Sequence, residues 1–384
     1  MNPTFQRLMH QATSLTSAGN LQAATAVIQR ALGRHEATPA APVPAAHDVI
    51  ILDGYVVERA ADGQASTPTP THAPPYAPTP TPTRPPSTDP SDQGEFLHGT
   101  HSHAGLSRDY TLFVPPDAAG RQPPLVVMLH GCTQDPDDFA AGTGMNELAR
   151  EQGFVVLYPA QARSANPSRC WNWFKHNHQG RGCGEAGVIA TMTQAVLQER
   201  GIDPARVYIA GLSAGAAMAA IVAAAYPELF AAVGVHSGLA PGAAQSLPEA
   251  LAAMRAGAPG ATARNGPGLP VPAIVFHGDR DTTVNPKNGE QVIAAVLAST
   301  LQSTGERGSH KVVQEGVSQQ GRRYTRTLYS GAGNAALAEQ WVLHGAGHAW
   351  SGGRPAGSYV DTEGPDASRE MLRFFFSHAA RAGH

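Results

Sequence analysis

From about residue 94 onward, short apolar runs alternate with stretches whose apolar positions recur at helical spacing. "PLVVMLHG" (124–131), "FVVLYP" (154–159), "RVYIAG" (206–211), "AAVGVHS" (231–237) and "AIVFHG" (273–278) are nearly continuous apolar segments of strand length. Runs of that kind mark strands buried on both faces, as parallel strands are. The stretches 137–151, 186–200, 214–225 and 287–301 read as helices between and after them. "RDYTLFVP" (108–115), segments near 310–316 and 322–329, and "EQWVLHG" (339–345) add further strands, and 365–378 reads as a last helix. This alternation predicts an α/β domain over 94–384, built on a mostly parallel twisted sheet with helices on both faces. Ligands of such sheets sit outside the carboxyl ends of the strands. Those ends are where chemistry is expected.

Upstream the pattern is different. Residues 1–34 read as a helical hairpin, with Phe5, Leu8, Met9 and Ala12 on one helical face, a turn at "SAGN" (17–20), and Leu21, Ala24, Val27, Ile28 and Leu32 on a second face. A hairpin this small cannot bury enough surface alone. It is expected to dock on the main domain, on a second copy of itself, or on a partner. Residues 35–93 are rich in Pro, Ala and Thr and read as a semi-rigid linker, because repeated prolines remove backbone donors and hold the chain extended. One island within it, "DVIILDGYVVERA" (48–60), alternates like a strand.

Composition narrows the function classes. The 384 residues are 42% hydrophobic and 15% charged, with a net charge of −3. That balance offers no electrostatic footprint for nucleic acid. No apolar run is long enough to span a bilayer. The N-terminus lacks the basic start and apolar stretch of a secretory leader, so a cytoplasmic protein is expected. Three cysteines, Cys132, Cys170 and Cys183, make no disulfide framework, although Cys170 and Cys183 could bridge in an oxidising compartment. The seventeen histidines are scattered and form no HExxH or tight cluster, so no metal site is indicated.

Three strand ends carry a reactive side chain, in the order Ser213, Asp281, His348. Ser213 lies in Gly211-Leu212-Ser213-Ala214-Gly215, a G-x-S-x-G between a strand and a helix. That context suits a nucleophile on a sharp, strained turn, with the flanking glycines letting neighbouring backbone pass. In "FHGDRDTTV" (276–284) two acids follow a strand; the spacing to Val284 favours Asp281 over Asp279 as the partner of an imidazole. In "VLHGAGHAWSGG" (342–353) His348 sits in a glycine-rich loop after the last strand, whereas His344 is within the strand pattern and reads as structural. His236 is a weaker alternative for the base. Oxyanion donors are expected from the N–H of Ala214, after the serine, and of Cys132, in the loop after "PLVVMLHG". Trp171, Trp173 and Trp350 read either as walls of an apolar acyl pocket or as core aromatics. Glu185 reads as a helix cap rather than a catalyst.

Taken together, "HGCTQ" (130–134), "CWNWF" (170–174), "AGLSAGAAM" (210–218), "GVHSGLA" (234–240), "FHGDRDTTV" (276–284) and "GAGHAWSGG" (345–353) resemble the PHB depolymerase family of esterases over about 95–378. These are α/β-hydrolases related to feruloyl and acetylxylan esterases. The resemblance implies a nucleophile at Ser213, an acid at Asp281, a base at His348, an oxyanion N–H at Cys132, and no metal or cofactor. It implies cleavage of short-chain polyhydroxyalkanoate or its oligomers, with small aryl or acetyl esters as the alternative and a non-catalytic binding role as a third. Secreted polymer-degrading members carry a leader and a C-terminal substrate-binding domain. Neither is recognised here, so an intracellular enzyme is expected, anchored to a polymer granule or a second copy through the hairpin.

Overall fold

The structure is a computed structural model and describes residues 94–380, except 119, 259–267, 306–309 and 332–335. The expected hairpin (1–34), the linker (35–93) and its strand-like island lie outside the described residues.

Ten strands form one sheet. They are β1 (Glu95–His103), β2 (Leu106–Val114), β3 (Leu125–Leu129), β4 (Val155–Pro159), β5 (Val207–Leu212), β6 (Ala232–His236), β7 (Ala273–Gly278), β8 (His310–Val317), β9 (Arg323–Ser330) and β10 (Ala336–Leu343). Their order is β1-β2-β4-β3-β5-β6-β7-β10-β9-β8. The inner strands, from β4 through β3, β5, β6 and β7 to β10, run parallel, and antiparallel pairs flank them on both sides. β11 (Trp350–Ser351) and β12 (Val360–Asp361) form a small separate pair. This is the α/β architecture that the strand–helix alternation predicts.

The helices are α1 (Pro136–Thr143), α2 (Met145–Gln152), α3 (Gly184–Arg200), α4 (Ala214–Ala225), α5 (Leu247–Ala256), α6 (Lys287–Thr304) and α7 (Ala367–Phe375). The single helix expected over 137–151 is two, because Gly144 takes φ 62° and ends α1 in a left-handed cap. Strand β1 and helix α5 were not foreseen. β1, "EFLHGTHSH", is mostly polar, buries no residue fully and pairs with β2 at the sheet edge, where no apolar pattern is demanded.

Alternation along the central strands divides the core into two layers. Leu125, Val127 and Leu129 of β3 join α3 and α4 on one face; Val126 and Met128 join α2 and α7 on the other. Every residue of β3, β4, β5, β6 and β7 is buried. α4 is almost all alanine and glycine, "AGAAMAAIVAAA", so its backbone lies close on the sheet. That closeness matters for the site.

Candidate active site

The parallel strands all deliver their carboxyl ends to one edge. Ser213 follows β5 directly, Asp281 comes three residues after β7, and His348 comes five after β10. β6 separates β5 from β7, pairing Leu212 with His236 and His236 with Phe276.

Ser213 has φ 57° and ψ −120°. A non-glycine residue holds such angles only where its surroundings impose them. Its N–H donates to His236 O at 2.9 Å, and its carbonyl starts α4 by accepting from Ala217 N. The turn therefore joins the end of β5 to the start of α4 through hydrogen bonds on both sides of Ser213. The two flanking glycines have a steric reason. A Cβ on Gly215 would strike the carbonyl oxygens of Leu129 and His130, and one on Gly211 would meet Gly215 and Leu129 O at 2.6 Å. Only glycine lets the first turn of α4 lie against the end of β3.

Asp281 and His348 are brought together directly: His348 Nδ1 donates to Asp281 Oδ2 at 2.7 Å. That bond leaves Nε2 as the acceptor nitrogen. The Asp281 carboxylate has no side-chain exposure, while the His348 side chain is 13% exposed. Oδ1 of Asp281 accepts the N–H groups of Thr283 and Val284 at 2.9 and 2.8 Å. His277 Nε2 donates to Val284 O at 2.9 Å and lies 3.4 Å from Asp281 Oδ2. Burial alone would raise the pKa of this carboxyl. The hydrogen bonds from His277, His348 and Val284 outweigh it and hold Asp281 well below the usual carboxylate range.

Asp279, the alternative acid, is committed elsewhere. It accepts from His344 Nδ1 at 3.0 Å and from Gly345 N at 2.7 Å, and His344 Nε2 meets Thr325 Oγ1 at 2.8 Å. His344 thus ties β9 and β10 to the loop after β7, the structural role expected of it. His236, the alternative base, is fully buried, stacked between Phe276 and Trp350, and its Nε2 accepts from Ser351 N at 3.0 Å. Burial first, then the neighbouring His277 and His348, push its pKa down to about 3. It is a neutral structural imidazole. Neither the Ser213 hydroxyl nor His348 Nε2 has a hydrogen-bond partner among the described residues.

The loop after β3 carries Cys132. Gly131 N donates to Gln134 Oε1 at 2.9 Å, and Thr133 N to Ser168 O at 2.7 Å. The N–H groups of Cys132 and Ala214 have no acceptor among the described residues. Cys132 forms a disulfide with Cys170, and Cys183 is free and exposed. The Cys170–Cys183 pairing considered from the sequence is therefore corrected. The Thr133 N–H bound to Ser168 O, and Arg169 paired with Asp135 at 2.8 Å, clamp the 130–136 loop onto the 166–172 loop and bring Cys170 to Cys132.

The tryptophans take the core alternative. Trp171 and Trp350 are 0% and 1% exposed and Trp173 is 5% exposed. Trp350 meets Phe139 edge-on, stacks on His236 and donates to Ser368 Oγ. These side chains back the site from inside the core and do not present a free wall to a ligand.

Glu185 is not a helix cap. Its fully buried carboxylate pairs with Arg108 at 3.0 Å and accepts from Gln161 Nε2, Asn172 Nδ2 and Asn172 N. Arg108, Gln161, Asn172, His130 and His277 all support the site and were passed over in the sequence. The available signal was weak: polar residues set within or directly after apolar strand patterns. Among the described residues, no group of three or more His, Cys, Asp or Glu side chains gathers as a metal site. No helix among them is long and apolar enough to cross a membrane.

Residues 108–319 match the family described as Esterase PHB depolymerase, which covers more than half of the chain. Poly(3-hydroxyalkanoate) depolymerase C of Paucimonas lemoignei is 35% identical over 235 residues, covering 59% of this chain and 54% of that protein. Acetylxylan esterase A of Talaromyces purpureogenus is 30% identical over 202 residues, covering 46% and 50%. The chain spans about half the length of these curated relatives. Among solved structures, an acetyl xylan esterase from Aspergillus awamori superposes with a TM-score of 0.58 at 21% identity, covering 74% of this chain and all of that one, a likeness of fold. With the motifs that carry the resemblance lying on one edge of such a sheet, the chain belongs to the PHB depolymerase family of esterases, on an α/β-hydrolase fold.

Proposed function

We propose that the chain is a serine ester hydrolase whose nucleophile is Ser213, base His348 and acid Asp281. One observation carries this reading: a buried, ionised Asp281 accepts from His348 Nδ1 at the strand edge where Ser213 sits on a strained turn. His348 Nε2 takes the Ser213 proton as Oγ attacks the ester carbonyl. The oxyanion that forms accepts from the N–H groups of Ala214 and Cys132. His348 then protonates the leaving alkoxide, and the acyl-serine remains. Water repeats the sequence with His348 as base, releasing the acid and restoring the hydroxyl. Asp281 holds the tautomer throughout.

The proposed substrate is a short-chain polyhydroxyalkanoate or its oligomers, supported by the depolymerase relative. Acetylxylan and feruloyl esterases among the relatives support a second reading, hydrolysis of small acetyl or aryl esters. Three segments are proposed: a hairpin (1–34), a tether (35–93) and a catalytic domain (94–384). The hairpin would hold the enzyme to a granule or a second copy while the tether gives reach. The Cys132–Cys170 disulfide favours an oxidising compartment over the cytoplasm expected from the N-terminal pattern.

The test is turnover of polyhydroxybutyrate particles, a soluble butyrate ester and a feruloyl ester by wild type, Ser213→Ala and a form lacking residues 1–93. The reading requires phosphonate labelling of Ser213 and loss of all ester turnover in Ser213→Ala. Retained turnover in that variant refutes it. Anchoring requires the truncation to slow particles selectively; equal effects on particles and soluble ester refute it.

A further inference from the structure

Glu185 is a buried carboxylate that the proposed chemistry does not use. It lies in the first turn of α3 with no exposure. Oε1 accepts from Arg108 Nη2 at 3.0 Å, Gln161 Nε2 at 2.7 Å and Asn172 Nδ2 at 2.7 Å; Oε2 accepts from Asn172 N at 2.6 Å. A buried carboxylate is costly unless it is hydrogen-bonded, and here four N–H donors engage it. The donors lead in one direction. Gln161 Nε2 also donates to Cys170 O at 2.9 Å, and Cys170 is the disulfide partner of Cys132. Gln161 N donates to His130 Nε2 at 3.1 Å, and His130 Nδ1 donates to Gly131 O at 2.7 Å. Burial holds His130 neutral, with its pKa pushed down to about 4, so this donor–acceptor order persists. The carboxylate therefore reaches Cys132 from both sides, through Gly131 in the chain and through Cys170 across the disulfide.

We infer that Glu185 is a positioning residue for the oxyanion donor at Cys132, acting through Gln161. This rests on the ester-hydrolase reading. A network with one end in the core and the other on both neighbours of a single N–H fixes where that N–H points. Oxyanion stabilisation depends on donors already in place, and a displacement of about 1 Å costs on the order of 10²-fold in rate.

The experiment compares wild type, Glu185→Gln and Gln161→Met. Gln161→Met keeps shape, removes the side-chain donor and leaves Arg108, Glu185 and Asn172 joined. Steady-state rates on p-nitrophenyl butyrate are measured beside inhibition by an alkyl trifluoromethyl ketone, which adds to the serine as a tetrahedral oxyanion. The expected result is a fall in kcat of roughly 10- to 100-fold with KM held. The ketone inhibition constant should rise by the same factor as kcat/KM falls. A role confined to stability would lower Tm and leave kcat and ketone affinity alone, and that result in the folded variants overturns the inference. A rise in KM alone also overturns it. Where Glu185→Gln does not fold, Gln161→Met decides. Wild type that neither turns over the ester nor labels with phosphonate refutes the hydrolase reading itself; active wild type with unchanged variants refutes only the role of Glu185.

Discussion

Replacing Asp281 and Asp279 by Asn, one at a time, separates the two acids that the sequence leaves side by side. In Asp281→Asn the outcome follows from where each oxygen points. Oδ1 accepts two backbone N–H groups, from Thr283 and Val284. The amide oxygen of the variant must stay there, which turns the amide nitrogen toward His348. Its N–H can only donate to His348 Nδ1, so the proton of the imidazole moves to Nε2. In the proposed mechanism Nε2 takes the Ser213 proton, and a protonated Nε2 is no longer a base. Forcing this tautomer costs about 10⁴ in kcat, which corresponds to roughly 5 kcal/mol of barrier. Asp279 has no such consequence. Its side chain is 38% exposed and its partner His344 is 36% exposed, so the pair contributes on the order of 1 kcal/mol or less to stability. The expectation for Asp279→Asn is less than a tenfold change in rate. The assay is kcat/KM on p-nitrophenyl butyrate at pH 8, with thermal melts to confirm folding. Equal losses in the two variants, or an Asp281→Asn enzyme within tenfold of wild type, would refute the reasoning.

Three other expectations are as direct. Gly215→Ala forces a Cβ against the Leu129 and His130 carbonyls, which are backbone and cannot swing aside; about 1–3 kcal/mol of stability should be lost along with ester turnover, and a variant with wild-type Tm and rate would contradict this. Reducing the Cys132–Cys170 disulfide, which spans 38 residues, should lower stability by about 2–4 kcal/mol and slow hydrolysis by freeing the Cys132 loop; melts and rates with and without a phosphine reductant check it, and unchanged values would count against a structural disulfide. Acid should destabilise the fold in two ranges. His130 and His236 have folded pKa values pushed down to about 4 and about 3, below the usual value near 6.5. The unfolded chain therefore gains their protons first, and stability falls as pH drops from about 6.5 toward 3. Asp281, held below the usual carboxylate range, adds stability above its unfolded pKa that is lost on further acidification. Tm constant between pH 7 and pH 4 would contradict the histidine assignment.

The central strands were legible because burial on both faces sets a continuous apolar run, and α3, α4, α6 and α7 because packing on the sheet sets apolar positions at helical spacing, a local record of a tertiary fact. β1 and α5 were not: "EFLHGTHSH" and "LPEALAAMRA" lie where less surface is buried, so neither period is strongly imposed. Ser213, Asp281 and His348 could be singled out because each follows a strand within a few residues. The choice between Asp279 and Asp281 gained its physical ground only when His344 was found bound to the former and His348 to the latter.

By itself the sequence determined the parallel α/β arrangement and the sharp turn at Ser213, since both depend on residues near one another in the chain. Glycine is required at 211 and 215 because β3 passes there, but its presence is visible in the linear order. Partnership across distance was decided only in three dimensions. Cys170 lies 13 residues from Cys183 and 38 from Cys132, yet the bond joins the more distant pair, so chain separation did not decide which thiols meet. The same holds for Glu185, Gln161 and His130, whose worth depends on which donor faces which lone pair. Hydrogen bonds and disulfides are settled within fractions of an ångström by packing, and no period in the sequence encodes that.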